Sequence, residues 1–237
     1  MKKPAKILEP AAVAMLCATL MIPQQARAQP SQTRPGQSTA SPPDLQGVYQ
    51  SIADNVTLPG GLKNAGSPSA IPLLPGAAQQ AKSVDLKKDP WKLCQPVGPF
   101  RMMAAEQVKI ELVPVSTLVV MLFEDLSHGM RRSILLKRGH PEKLEPTWLG
   151  DSVGRWEGDT LVIDTTGFND RTWLNGEGAQ HSDALHLRER IRPVLAGQYL
   201  EYKMTAEDPK TLAKPYSYTR YFKKLDSEIV DDPCEDE

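Results

Sequence analysis

The stretch Leu185-His186-Leu187-Arg188-Glu189-Arg190-Ile191 alternates without a break. Successive side chains of a strand point to opposite faces. Leu185, Leu187, Glu189 and Ile191 therefore share one face, and His186, Arg188 and Arg190 share the other. One face is apolar apart from a single carboxylate and the other is polar, the pattern of a half-buried strand. The same period appears elsewhere: Val108, Ile110 and Leu112 alternate with Lys109 and Glu111. Residues 118–123 (LVVMLF) form an apolar run of strand length, and 132–136, 160–165, 199–205 and 218–224 read as further strands. Turn residues separate them at Gly139-His140-Pro141, Glu157-Gly158-Asp159, Gly197-Gln198 and Asp208-Pro209. No long segment carries a helical period. Many short strands with close turns predict a mostly all-β fold, an antiparallel β-barrel or sandwich.

Upstream of these strands prolines recur at Pro59, Pro68, Pro72, Pro75, Pro90, Pro96 and Pro99. Long regular elements do not survive that spacing, so 45–99 is expected to wrap the domain in extended form, with one short helix at 77–83. Residues 29–44 (QPSQTRPGQSTASPPD) are rich in Pro, Ser and Gln and read as a disordered tether. The chain is thus divided into 1–28, the tether 29–44, and a single β-rich domain over 45–237.

Residues 1–28 have the form of an export signal. Met1-Lys2-Lys3-Pro4-Ala5-Lys6 is basic, 11–22 (AAVAMLCATLMI) is apolar, and Ala26-Arg27-Ala28 fits a cleavage site before Gln29. The apolar run is shorter than the roughly 20 residues that span a hydrocarbon core. The expected product is periplasmic or secreted, with no integral membrane span after signal removal. Cleavage takes Cys17 away and leaves Cys94 and Cys234. In an exported chain these are compatible with one disulfide, stapling the tail to the early segment, or with two thiols. Lys and Arg number 28 and Asp and Glu 29, a formal net charge of -1, so no basic excess exists to hold a phosphate backbone. No nucleic-acid partner is expected. With 40% hydrophobic residues the chain can build a true core.

The central block runs Gly150-Asp151-Ser152-Val153-Gly154-Arg155-Trp156-Glu157-Gly158-Asp159-Thr160-Leu161-Val162-Ile163-Asp164-Thr165, then Gly167-Phe168-Asn169-Asp170, and later His181-Ser182-Asp183-Ala184-Leu185-His186 with Glu189-Arg190. It resembles a family of exported bacterial proteins carrying a W-E-G-D-T-L-V-x-D-T-x-G-F-N block followed by H-S-[DE]-A-L-H. The resemblance spans about 45–237 and implies the β-rich fold and export, without a reaction. Gly47-Val48-Tyr49 is also similar to the G-x-W that opens lipocalin-like (calycin) barrels, with Tyr in place of Trp.

Three groups carry chemistry. His181 and Asp183 fall on one side of an extended chain and His186 on the other. His181 with Asp183 as its orienting carboxylate makes a candidate general base; a bend near Ala184 would let His181, Asp183 and His186 hold a divalent metal instead. Otherwise the segment is a polar loop entering a strand. Asp164 ends an apolar run, where a partly desolvated carboxylate can act as acid or base; Asn169 and Asp170 beside it read as turn formers. Glu189 lies on the apolar face and needs a cation, with Arg132, Arg131 or Lys203 as candidates.

The catalytic candidates are therefore His181, Asp183, Asp164 and His186. Trp148, Trp156, Trp173 and Arg190 are candidates for holding a small-molecule substrate. No organic cofactor is expected. Three functions remain open: an exported enzyme doing acid–base chemistry on a small molecule (a lyase, isomerase or hydrolase), a binding protein for an apolar small ligand, and a metal-binding protein.

Overall fold

A computed structural model describes residues 41–124 and 130–230; the expected signal 1–28, most of the tether and Cys234 lie outside these described residues. The elements are β1 (Gly47–Ser51), β2 (Thr57–Leu58), β3 (Leu62–Lys63), α1 (Pro75–Ser83), α2 (Pro99–Met102), β4 (Lys109–Pro114), β5 (Leu118–Glu124), β6 (Arg131–Leu135), β7 (Asp151–Glu157), β8 (Thr160–Thr166), β9 (His186–Val194), β10 (Tyr199–Glu207) and β11 (Tyr216–Leu225). Nine strands form a closed barrel in the order β1-β11-β10-β9-β8-β7-β6-β5-β4, and β2 pairs with β3 in a separate ribbon. The fold is a barrel, not a sandwich. Closure falls to β1, whose Val48 is registered with Leu225 on one side and Glu111 on the other. Among the described residues no helix is long and apolar enough to cross a membrane.

Alternation places one set of side chains inside. Leu112, Met121, Ile134, Leu187, Met204 and Phe222 are all buried in one core cluster. The segment around α2 closes onto that core: Phe100, Met102 and Met103 are buried, and the Tyr218 hydroxyl donates to the Phe100 carbonyl at 2.6 Å. Arg220 points the same way and donates to the carbonyl oxygens of Ala104, Ala65 and Gly66 at 3.3, 3.3 and 2.9 Å. One guanidinium so ties the wrapping segment and the residues after α2 to β11. The expected short helix is α1, beginning at Pro75, where proline's missing N–H costs nothing.

One join departs from the antiparallel pattern. β6 and β7 run parallel, and only Ile134↔Ser152 and Leu135↔Val153 are in register. Parallel neighbours need a crossover of a dozen residues or more; residues 136–150 supply it. Gly154 leaves room at this join, since a Cβ there would lie 2.7 Å from Ile134 Cγ2. Where backbone pairing is sparse, side chains substitute for it. Arg132 on β6 reaches Ser152 Oγ on β7 (3.0 Å), Thr165 Oγ1 on β8 (2.6 Å) and Glu189 on β9 (2.8 Å). Arg132 is the partner that the apolar-face Glu189 required.

Candidate functional site

Strands β7, β8 and β9 lie side by side, with Ser152 registered to Thr165 and Thr165 to Leu187 on the inner face. Their neighbours Asp151, Asp164 and His186 consequently point outward. The crossover passes over this outer face. It is held by Thr147 N–H to Gly167 O (3.0 Å) and Asn169 N–H to Thr147 O (2.9 Å), and it delivers His140. The ring of His140 lies between two carboxylates, Nδ1 at 2.7 Å from Asp151 Oδ2 and Nε2 at 3.0 Å from Asp164 Oδ1. The other oxygen of Asp164 sits 2.9 Å from His186 Nε2. Arg138 pairs with Asp151, and Arg188 Nε stands 3.9 Å from Asp164. All of these side chains retain some exposure, about a quarter for each imidazole and 29% for Asp164.

The geometry constrains the protons. A neutral imidazole carries one N–H, so His140 satisfies both carboxylates only when both nitrogens are protonated. Partial burial pushes the Asp164 carboxyl up, but hydrogen bonds from His186 and His140, and their charge, outweigh it and hold the group below its ordinary 3.8. An ionised carboxylate between two reachable imidazoles can steady a proton on either ring. One ring can accept a proton while the other donates one.

The sequence candidates separate. Asp164 and His186 come together, and Arg190 lies further along the outer face of β9. The His181–Asp183 pair does not form. His181 is 6% exposed, with Nδ1 at 2.8 Å from the Ser182 carbonyl and Nε2 at 2.6 Å from the Thr172 hydroxyl. Its Nδ1–H donates and Nε2 accepts, and burial holds it below 6.5 despite the Ser182 hydrogen bond. Such a neutral, enclosed imidazole is a packing element, with Phe168 edge-on at 5.7 Å. Asp183 turns outward to Lys210 at 2.6 Å. The chain turns at 182–185 instead of extending, because buried Asp208 accepts from Ser182 N–H at 2.6 Å and Ser182 Oγ–H at 2.8 Å. His181, Asp183 and His186 therefore do not converge, and among the described residues no group of three His, Cys, Asp or Glu is arranged to hold a metal.

The tryptophans also scatter. Trp173 is buried, Trp156 packs on the core, and Trp148 lies under Arg171 at 5.7 Å. His140 and Asp151 were missed by sequence reasoning. His140 was legible only as the middle of a Gly-His-Pro turn, and its scarcity, one of four histidines, was the signal that could have found it. Asp151 had none, since β7 itself was unread. Cys94 follows a short helical turn in left-handed conformation, φ 54°; the expected pairing with Cys234 reaches outside the described residues.

No protein-family model matches the sequence, and no curated protein matches it. Among solved structures, the chain is similar to a REP1-NXSQ fatty acid transporter, at 10% identity over 78% of this chain and 98% of that one, with a TM-score of 0.41. So distant a likeness carries nothing about the site.

Proposed function

We propose that this protein is an exported, small-molecule-binding β-barrel and that the array around Asp164 moves a proton on the bound molecule, in an elimination, isomerisation or hydrolysis. One observation carries this reading: Asp164 stands between His140 Nε2 and His186 Nε2, at 3.0 and 2.9 Å, on a face that solvent and a ligand can reach. A general acid or base must be accessible and within hydrogen-bond reach of its substrate. The acid–base role first assigned to His181 passes to His140 and His186.

The test is turnover of a panel of small hydroxy acids and esters, followed by mass spectrometry. His140→Asn and His186→Asn should each lower the rate about 10²–10⁴-fold with the fold intact, the usual worth of a general acid or base. Unchanged turnover in both variants overturns the assignment.

A second reading is favoured by the strand count. Closed barrels of eight strands either fill with side chains or hold one small ligand, and this one has nine strands, with a mostly apolar inner face that also carries the Arg132–Glu189 pair. A carrier of an apolar molecule would bind a fluorescent apolar probe stoichiometrically, with no turnover and no response to the two Asn variants.

A further inference from the structure

The pairing of β7 to β11 places Arg155, Val162, Arg190, Lys203 and Thr219 in one row across the outer face, each registered with the next. The row beside it holds Asp164, Arg188, Thr205 and Ser217. Short side chains occupy the middle of these rows and long cations stand around them. The result is a groove of about 400 Å³ lined by Arg155, Arg188, Arg190 and Lys203, with Val162, Thr205, Ser217 and Thr219 as its floor. That volume is in the range of small-ligand sites. A second depression of about 240 Å³ shares Arg190 and Lys203 with it.

The charges depart from what a solvated sheet face requires. Opposite-sign cross-strand pairs stabilise a sheet, and like charges directly opposite each other destabilise it. The flanking rows obey this: Asp164 is registered with Arg188, and Arg192 with Glu201. The central row does not, because Arg190 is registered with Lys203. The nearby carboxylates are already divided. Glu157 serves both Arg155 and Arg190, at 2.6 and 2.8 Å, and Glu201 serves both Arg192 and Lys203, at 2.9 and 3.1 Å. Arg188 has its own carboxylate, Glu207 at 3.1 Å; the other four cations on two carboxylates leave two positive charges, shared between the groove and the adjoining depression that Arg192 lines.

We infer that this groove is the seat of a small organic anion, a carboxylate or a phosphate ester, whose head group bridges Arg190 and Lys203 while its body lies over Val162 and the Thr205–Ser217 hydroxyls. Arg188 lines the groove and also stands 3.9 Å from Asp164, so an anion seated there is brought beside the imidazole array. The assignment names a substrate class for the proposed proton-transfer site; it rests on that reading for the chemistry and on the groove alone for the binding.

The experiment is a titration of the folded protein with benzoate, inorganic phosphate and neutral benzamide, followed by backbone amide NMR shifts. Benzoate or phosphate should give saturable shifts centred on Val162, Arg190, Lys203 and Thr219, and benzamide should give none. Tighter benzoate assigns a carboxylate with an apolar body; tighter phosphate assigns a phosphate ester. Lys203→Gln, and the double variant Arg155→Gln/Lys203→Gln, should weaken the bound anion about tenfold or more, the worth of one charge-assisted hydrogen bond. The single variant keeps the test decisive if the double one does not fold. His186→Asn should bind benzoate as tightly as the parent, so a failure of the imidazole array and a failure of the groove are read separately. Absence of saturable shifts for both anions, equal binding of benzamide, or unchanged affinity in Lys203→Gln overturns the inference.

Discussion

Arg132 and Glu189 meet inside the barrel as a two-pronged pair, each guanidinium Nη on its own carboxylate oxygen. Tyr202 adds a third hydrogen bond to Glu189, at 2.9 Å. Both charges are essentially without solvent, at 2% and 0% exposure. Desolvation pulls the Arg132 proton affinity down, and the adjacent Glu189 more than restores it. Removing one partner of such a pair strands the other. Glu189→Ala should lower the urea-unfolding free energy by about 3–5 kcal/mol, and Arg132→Met/Glu189→Leu should recover most of that loss. Equal destabilisation by the double and single variants would show that the pair is worth more than the apolar packing that replaces it.

His181 makes stability depend on pH. Its folded-state affinity for a proton lies below the ordinary 6.5, because burial penalises the cation. The unfolded chain takes up a proton near 6.5, so it binds more protons than the native state just below that value. Stability should be level above pH about 7, and it should fall as the pH drops through 6.5 toward the lowered native value. His181→Gln should remove this component of the slope while lowering stability at pH 8, as expected for a buried hydrogen-bonded ring. Denaturation midpoints of parent and variant between pH 5 and 8 measure it; parallel profiles would place the proton elsewhere.

Asp208 and Asp183 should behave differently although both belong to the same loop system. Asp208 is 2% exposed and accepts from Ser182 N–H, Ser182 Oγ–H and Lys210 N–H. Asp208→Ala leaves those donors unpaired, and should cost about 2–4 kcal/mol in thermal or urea unfolding. Asp183→Ala removes only an exposed contact to Lys210 and should leave the melting midpoint in place.

Export and the staple have a joint test. Protein recovered from the periplasm or medium should begin at Gln29, and its non-reducing peptide map should contain one linked pair, Cys94 with Cys234. An intact Met1 on a cytosolic product, or two alkylatable thiols in freshly isolated protein, would count against each in turn.

Most barrel strands were legible because one wet face and one dry face write a period of two into the chain. Residues 186–191 of that stretch form the first part of β9 (His186–Val194) with their faces as read, and the need of Glu189 for a cation followed from that face alone. β7 was hidden because Ser152 and Gly154 take two of its three inner positions and leave only Trp156 as an apolar marker, and its parallel partner cannot be inferred from local pattern. The site was half visible. Asp164 and His186 stand on strands whose alternation fixes where they point, and they are neighbours because β8 pairs with β9. His140 arrives on a crossover whose path depends on tertiary contacts at Thr147 and Gly167. His181 misled because an H-x-D spacing assumes an extended chain, and Asp208, distant in sequence, bends it.

The two-residue register between β6 and β7 compares with seven registered pairs between β7 and β8 and nine between β9 and β10. Native proteins breathe at their least-bonded places. Amides bridging that join should exchange with solvent well before those between β9 and β10.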